Sequence, residues 1–472
     1  MSILQPALVF AAAAVLTTAS SAAAADLTPE RVQEAIDKGV VWLKAQQRPD
    51  GSFQVGGAGG INSPGGLEGQ YPLGTTALAA LTLLKCGVEP DDPLVDKAFT
   101  WMYAQPLQRT YEVSMLVLAI EARFMPPKEQ LEKEEEKKGY GTIARKHFGK
   151  KARPLDQQKL KECADWLITH RSGAVWRYPG AAGDGAEQDH SCAQYAMLAL
   201  KSCSRLGVKV PDELWEKVAD HFVAQQDPDG EEVPWFPVPA ADGLIQEMVP
   251  PAKRVQTGDR DKKDGGTKVR EGPPPAERPS MKARGWSYLP RPVRDGAGGG
   301  GEGGTKAGGG APPPPVVGGN MERVTTGSMT ASGIAALVIA KSELEDQKSA
   351  WGRRADAVNR AIRDGCAWLA RHFIVDANPT AANMRMNWGY YYLYGCERAG
   401  VLAGTYRFGT HDWYDEAAVW LLGQQQTDGA WPAEAVLSNF ADTCFAMLFL
   451  RRSTIPLVPL PPKRVMTGTG GR

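Results

Sequence analysis

The chain has no excess charge: 54 Lys and Arg stand against 54 Asp and Glu in 472 residues. Without a basic field, and without zinc-knuckle or helix-turn-helix spacing, a nucleic-acid partner is excluded as the expected one. There is no Cys-x-x-Cys. The seven cysteines (86, 163, 192, 203, 366, 396 and 444) fall singly inside helical patterns, where buried thiols are expected and no disulfide pairing can be read. Beyond the first 25 residues no stretch is long and apolar enough to span a bilayer. Lys and Arg are absent near the start. Ile3 to Leu16 is largely apolar, and a small-residue run ends at Ala23-Ala24-Ala25 before Asp26. That pattern is expected to be a secretory signal over residues 1–25, which makes the protein periplasmic or extracellular, or membrane-anchored if the segment is retained.

What is present is a repeat. Trp42-Leu43-Lys44-Ala45-Gln46-Gln47-Arg48-Pro49-Asp50-Gly51-Ser52-Phe53 runs from a helical pattern through paired glutamines into a turn and an aromatic. The layout returns at His221 to Gly230, with Gln225, Gln226 and Asp229, and again at Trp420 to Trp431, with Gln424, Gln425 and Asp428. The glycine lies nine residues after Trp42, His221 and Trp420 alike, a register that makes repetition the first fact about the fold.

Each such helix is amphipathic and is followed by a smoother, more apolar one that reads as buried. The first pair runs from Pro29, with Thr28 as its cap, to Pro49, and then over Gly74 to Gly87. The others fall at about 92–105 and 110–124, 158–171 and 189–205, 211–226 and 326–342, 354–373 and 385–400, and 412–426 and 439–452. Pair four is split by a Gly/Pro-rich insertion at about 238–320, expected to be disordered apart from an anchored island, Gly285-Trp286-Ser287-Tyr288. Residues 461–472 read as a disordered tail, and Lys128 to Lys151 as a solvated helix or loop. Six alternating pairs build either an open solenoid, whose ends need polar capping repeats, or a closed ring, which needs none. The two terminal copies are the best matches to the signature, which favours closure. The expected fold is all-α, an α/α toroid of six hairpins over 26–460 with the inner helices around a cavity.

Lys38, Gly39, Trp42, Leu43, Gln47, Gly51 and Phe53, with Trp420, Leu421, Gln425, Gly429 and Trp431, resemble the repeats of the squalene–hopene cyclase and protein prenyltransferase beta-subunit superfamily. The resemblance implies the toroid, a glutamine tying the outer helix to its turn, and an aromatic packed between repeats. For chemistry it implies either of two devices. The cyclases use an Asp-x-Asp-Asp acid, which this chain lacks; Asp412-Trp413-Tyr414-Asp415 is the nearest imitation and opens an outer helix. The prenyltransferases hold zinc through Asp-x-Cys and a later histidine. Asp442-Thr443-Cys444 matches the first element and is the candidate metal pair, a sound donor chemistry for zinc. The histidine is missing, because His411 precedes an outer helix and lies roughly 20 Å away at the other end of the ring.

Asp189 and His190, at the start of the third inner helix, and Glu112, at the start of the second, are the candidate acid–base residues, since imidazole titrates near neutral pH. On the fifth inner helix Trp388, Tyr391 and Tyr392 share roughly one face and Tyr390 and Tyr394 another; whichever looks inward lines the cavity with rings suited to apolar or cationic ligands, and Trp388, Tyr391 and Tyr392 are the candidate wall. Three functions follow as expectations: a toroid that binds a hydrophobic, isoprenoid-like molecule, a lipid or a protein partner; a divergent enzyme on such a substrate; or a glycan- or peptide-directed enzyme using dispersed carboxylates.

Overall fold

A computed structural model describes residues 27–53, 71–126, 152–177, 188–243, 280–291, 321–434 and 438–458, with Arg278 and parts of 130–134. The expected signal segment, the loop at 56–69, most of 128–151, the bulk of the insertion and the tail lie outside them.

Twelve long helices alternate among the described residues. The odd ones are α1 (Pro29–Ala45), α3 (Pro93–Tyr103), α5 (Pro154–Thr169), α7 (Asp212–Gln225), α9 (Ala355–His372) and α11 (Trp413–Gln424). The even ones are α2 (Pro72–Lys85), α4 (Thr110–Phe124), α6 (His190–Arg205), α8 (Gly327–Leu344), α10 (Gly389–Ala403) and α12 (Asn439–Arg451). Even helices pack on neighbours of their own kind in a closed circuit: α2 on α4, α4 on α6, α6 on α8, α8 on α10, α10 on α12, and α12 back on α2. Odd helices lie outside, each against one or two even ones. The chain is an all-α toroid of six hairpins with one continuous apolar core.

The sequence places each outer helix by its ends. Proline opens α1, α3 and α5, where its missing N–H is no loss. Thr28 and Asp92 accept from Arg31 N and Leu94 N, satisfying donors that helix starts leave free. The inner helices are buried on almost every side, so their periodicity is faint and their composition small and apolar.

Three bonds recur from repeat to repeat. The aromatic N–H after the turn donates to a buried threonine of the following inner helix: Phe53 to Thr76, Trp286 to Thr330, Trp431 to Thr443. The indole Nε1 of Trp176, Trp286 and Trp431 donates, each over 2.8 Å, to the carbonyl of Leu167, Phe222 and Leu421 on its outer helix. The glutamine amide makes two bonds. Gln47 Nε2 donates to Gly51 O and to Leu94 O on α3. Gln226 Nε2 donates to Arg284 O and to Ala361 O on α9. Gln425 Nε2 donates to Gly429 O and to Ala35 O on α1, which seals the ring. Buried amides must find such partners.

Trp286 thus belongs to repeat four although the insertion separates it from Phe222. Ser287 pairs antiparallel with Thr325 just before α8, and Glu232–Val233 pairs with Met281–Lys282, so both ends of the insertion are pinned by short ladders. Gly51 and Gly429 share φ +97, and a Cβ on either would press within 2.5 Å of a backbone carbonyl of the next outer helix. Only glycine satisfies both demands.

Candidate aromatic cavity

All six inner helices start at the rim that carries the Pro-Asp-Gly turns, and they enclose there a cavity of about 290 Å³. Its wall is built mainly of rings: Tyr71, Tyr111, Tyr195, Tyr288, Trp388, Tyr391, Phe440 and Phe445. They contact one another in series. Tyr111 meets Tyr71 and Tyr195 edge-on at 6.1 and 5.2 Å, Tyr195 meets Tyr391 at 6.3 Å, and Tyr391 meets Trp388 and Phe445 at 6.1 and 5.7 Å. Such offset and edge contacts hold rings in place and leave their faces available.

The polar groups are few. Ser191 Oγ lies 3.0 Å from the Tyr391 hydroxyl, and Gln194 Nε2 donates to the same oxygen over 2.5 Å. Burial pushes the Tyr391, Tyr71 and Tyr288 phenols above their ordinary range, so they are neutral donors, not bases. Among the described residues one carboxylate touches the cavity, that of Glu322, which is exposed at its edge.

Two of the three aromatics expected on the wall stand there. Trp388 and Tyr391 line the cavity; Tyr392 does not. Tyr392 is fully buried, packs against Phe373 at 6.5 Å and crowds Gly327 of α8. The inward stripe is instead Tyr391, Tyr394 and Arg398, and the helix begins later than the sequence pattern suggests. Residues 385–386 form a ladder with 378–379, and Trp388 is the cap residue.

Trp388 has φ +79 and ψ +31, the left-handed region. A bulky residue there is a steric outlier. It is held by Glu434, whose carboxylate accepts from Trp388 N and from Gly389 N. Nothing in the sequence pattern marks Glu434, yet it caps α10 from the adjoining repeat. Its pKa is raised, because burial outweighs the backbone donors.

The acid–base candidates sit behind this wall. Glu112 caps a helix across a repeat boundary as Glu434 does: it accepts from Leu73 N over 3.1 Å and Gly74 N over 3.5 Å at the start of α2, and from Arg109 Nη1 over 3.4 Å. Burial raises its pKa. Asp189 caps its own helix, accepting from Cys192 N. His190 is wholly buried, with Nδ1 2.7 Å from Ser287 O and Nε2 3.0 Å from His221 Nε2. A carbonyl only accepts, so Nδ1 carries the proton, Nε2 accepts, and His221 donates. Burial first, and then His221, hold His190 down to about 3; burial alone holds His221 down to about 4. None of Glu112, Asp189 and His190 reaches the cavity surface.

Asp442 and Cys444 share the rim with these residues, on α12. Asp442 Oδ2 accepts from Glu434 N over 2.8 Å, and Cys444 is fully buried in the core. Among the described residues no three His, Cys, Asp or Glu groups gather as a metal set. A third zinc ligand does not stand beside this pair among the described residues. His411, at the opposite rim, contacts Glu416 at 3.0 Å. The seven cysteines are free thiols, all buried or half-buried, and burial pushes Cys86, Cys163 and Cys396 up to about 12. Among the described residues no helix is long and apolar enough to cross a membrane.

No protein-family model matches the chain, and no curated protein does. Among solved structures, the chain is similar to a type II terpene cyclase from Scytonema in complex with merosterolic acid A, at 11% identity and a TM-score of 0.41, over 90% of this chain and 97% of that one.

Proposed function

We propose that this protein is an extracytoplasmic toroid that binds an apolar, isoprenoid-like molecule in its aromatic cavity. Trp388 carries the reading. A left-handed backbone at a non-glycine residue costs on the order of 1–3 kcal/mol and persists where the surroundings impose it, typically at ligand sites. Glycine would fill that cap without strain, so the position retains tryptophan for its ring, and the ring faces the cavity. At about 290 Å³ the space is at the small end of cavities that bury drug-sized ligands, with one polar cluster, Ser191–Tyr391–Gln194, to orient a hydroxyl or carbonyl. The export reading rests on the sequence of residues 1–25.

Binding accounts for the arrangement better than catalysis does. Glu112, Asp189 and His190 are consumed as helix caps or buried in the wall, Glu322 stands alone at the cavity edge, and rings take the place of the paired carboxylates that glycan chemistry requires. The test is titration of the purified protein with farnesol, read by tryptophan fluorescence, beside native mass spectrometry of the protein as isolated. Saturable quenching that disappears in Trp388→Gly supports the reading. Absence of saturable binding, with no co-purified apolar molecule, overturns it.

A further inference from the structure

At the other rim, where the inner helices end, the ring encloses a second, smaller cavity of about 50 Å³. Its chemistry is the reverse of the first. Lys85 of α2, Lys201 and Arg205 of α6 and Arg398 of α10 line it, with one acid, Glu121 of α4. Glu121 accepts from Arg205 Nη1 over 3.2 Å and from Ser202 Oγ over 2.8 Å. Lys201 pairs with Glu343 just outside the lining. The nearby Glu397 is taken up by Thr454, through both its N–H and its hydroxyl. Arg398 and Lys85 remain without a direct ion pair among the described residues.

Arg398 is the more telling of the two. It is 1% exposed, and Nε, Nη1 and Nη2 are all buried without a hydrogen-bond partner among the described residues. Its guanidinium lies over Tyr394 at 4.1 Å and Tyr195 at 5.2 Å, and Tyr195 also lines the aromatic cavity. Ring faces attract the cation but accept none of its five N–H donors in plane. The half-buried Lys85 ammonium makes no hydrogen bond or ion pair among the described residues; Glu121 and Glu397 attract it from further off, yet burial outweighs them and holds it below the usual lysine range. Two more buried groups beside the cavity, Arg205 Nε and Ser453 Oγ, have no partner among those residues either. Buried charges are normally paired, because an uncompensated one is strongly destabilising. So many unmet donors around one space call for an acceptor in it.

We propose that this smaller cavity is an oxyanion site, with Arg398 and Lys85 as its principal ligands and a phosphate-sized group as its occupant. One water needs about 10–15 Å³, so the space takes a tetrahedral oxyanion or the waters it displaces. Guanidinium and ammonium together suit phosphate, the fork giving geometry and the lysine a point charge. The oxyanion is either free or the head of an amphipathic molecule, since Arg398 stands between the two cavities. The site does not depend on what the aromatic cavity holds.

The experiment uses the purified full chain in low-salt HEPES. Inorganic phosphate and dodecyl phosphate are titrated by calorimetry, and the melting temperature is followed alongside. Saturable binding with a rising melting temperature is expected. Arg398→Met and Lys85→Met should each weaken it by about tenfold or more, the worth of one charge-assisted contact. Arg398→Met should also melt no lower than the parent without phosphate, because it deletes an uncompensated charge. If dodecyl phosphate binds more tightly than phosphate and Trp388→Gly removes the difference, the head-group source is supported; equal affinity, indifferent to Trp388→Gly, supports the free ion. No binding of either probe, or binding unchanged in both Met variants, overturns the site. Should Arg398→Met fail to fold, Lys85→Met decides alone.

Discussion

Gln425 and Ala35 are 390 residues apart in the chain, yet the Gln425 amide donates to the Ala35 carbonyl over 2.8 Å. The same amide also closes on its own turn at Gly429 O. Gln47 and Gln226 make the equivalent pair of bonds between consecutive repeats. The junction of repeat six with repeat one is therefore held by the same bonds as the junctions that follow repeats one and four. Gln425→Ala should cost about 1–3 kcal/mol, the penalty for orphaning buried partners, and Gln47→Ala a similar amount. Urea unfolding of the two variants checks this; a Gln425→Ala protein as stable as the parent would mean that the ring is not held shut there.

Trp388→Gly separates ligand binding from folding. Relief of roughly 1–3 kcal/mol of backbone strain offsets the ring's lost packing, so the melting temperature should stay near that of the parent. Trp431→Gly is the contrast. That residue is fully buried with its indole bonded to Leu421 O, and loss of such a side chain costs on the order of 3–5 kcal/mol. Farnesol quenching should vanish only in the first.

The neutral His190–His221 pair should make the protein acid-sensitive. Both folded-state pKa values, about 3 and about 4, lie below the ordinary value near 6.5, so the unfolded chain binds more protons between those limits. The pair's contribution is whole above about pH 7. It declines from pH 6.5 downward, through about 4 for His221 and about 3 for His190, by roughly 1.4 kcal/mol per pH unit for each histidine. His221→Gln keeps a donor toward His190 Nε2 without titrating. Its unfolding free energy should fall less between pH 7 and pH 5 than the parent's; equal slopes would remove the pair from the account.

Gly429→Ala and Gly87→Ala both place a side chain at strongly positive φ, +97 and +94, but only the first meets a neighbour, Lys38 O at 2.5 Å. The left-handed cost of about 1–2 kcal/mol applies to both. The excess measured for Gly429→Ala by chemical unfolding reports how tightly the turn is pressed on α1, and it should be positive.

Much of the ring is legible in the chain because its determinants are local. The Gln-x-x-x-Gly-x-aromatic register, the proline starts and the contrast of amphipathic with all-apolar helices are each set within one hairpin, and they place the helices to within a few residues. The site is less legible, because its caps come from elsewhere. Glu112 looks like a free acid at a helix start until Leu73 and Gly74, almost 40 residues earlier, are seen to donate to it. Glu434 carries no signal at all, since its partners are defined only once α10 and the repeat-six loop are adjacent. His190 misleads for the same reason: its fate depends on Ser287, which lies in the island inside the insertion, 97 residues on. Tyr394, and not Tyr392, follows Tyr391 inward because it lies three residues on along α10, while Trp388 stands outside the helix in a left-handed cap and escapes its period.

The sealed junction between α11, α12 and α1 has a consequence for chain connectivity. Outer helices begin, and inner helices finish, at one and the same edge of the ring, so Pro29 and Arg451, on the adjoining helices α1 and α12, stand at that edge. A gene rearranged to join the end of α12 to residue 27 through a linker, and opened between 243 and 280, would give a circular permutant in which every long helix keeps its neighbours.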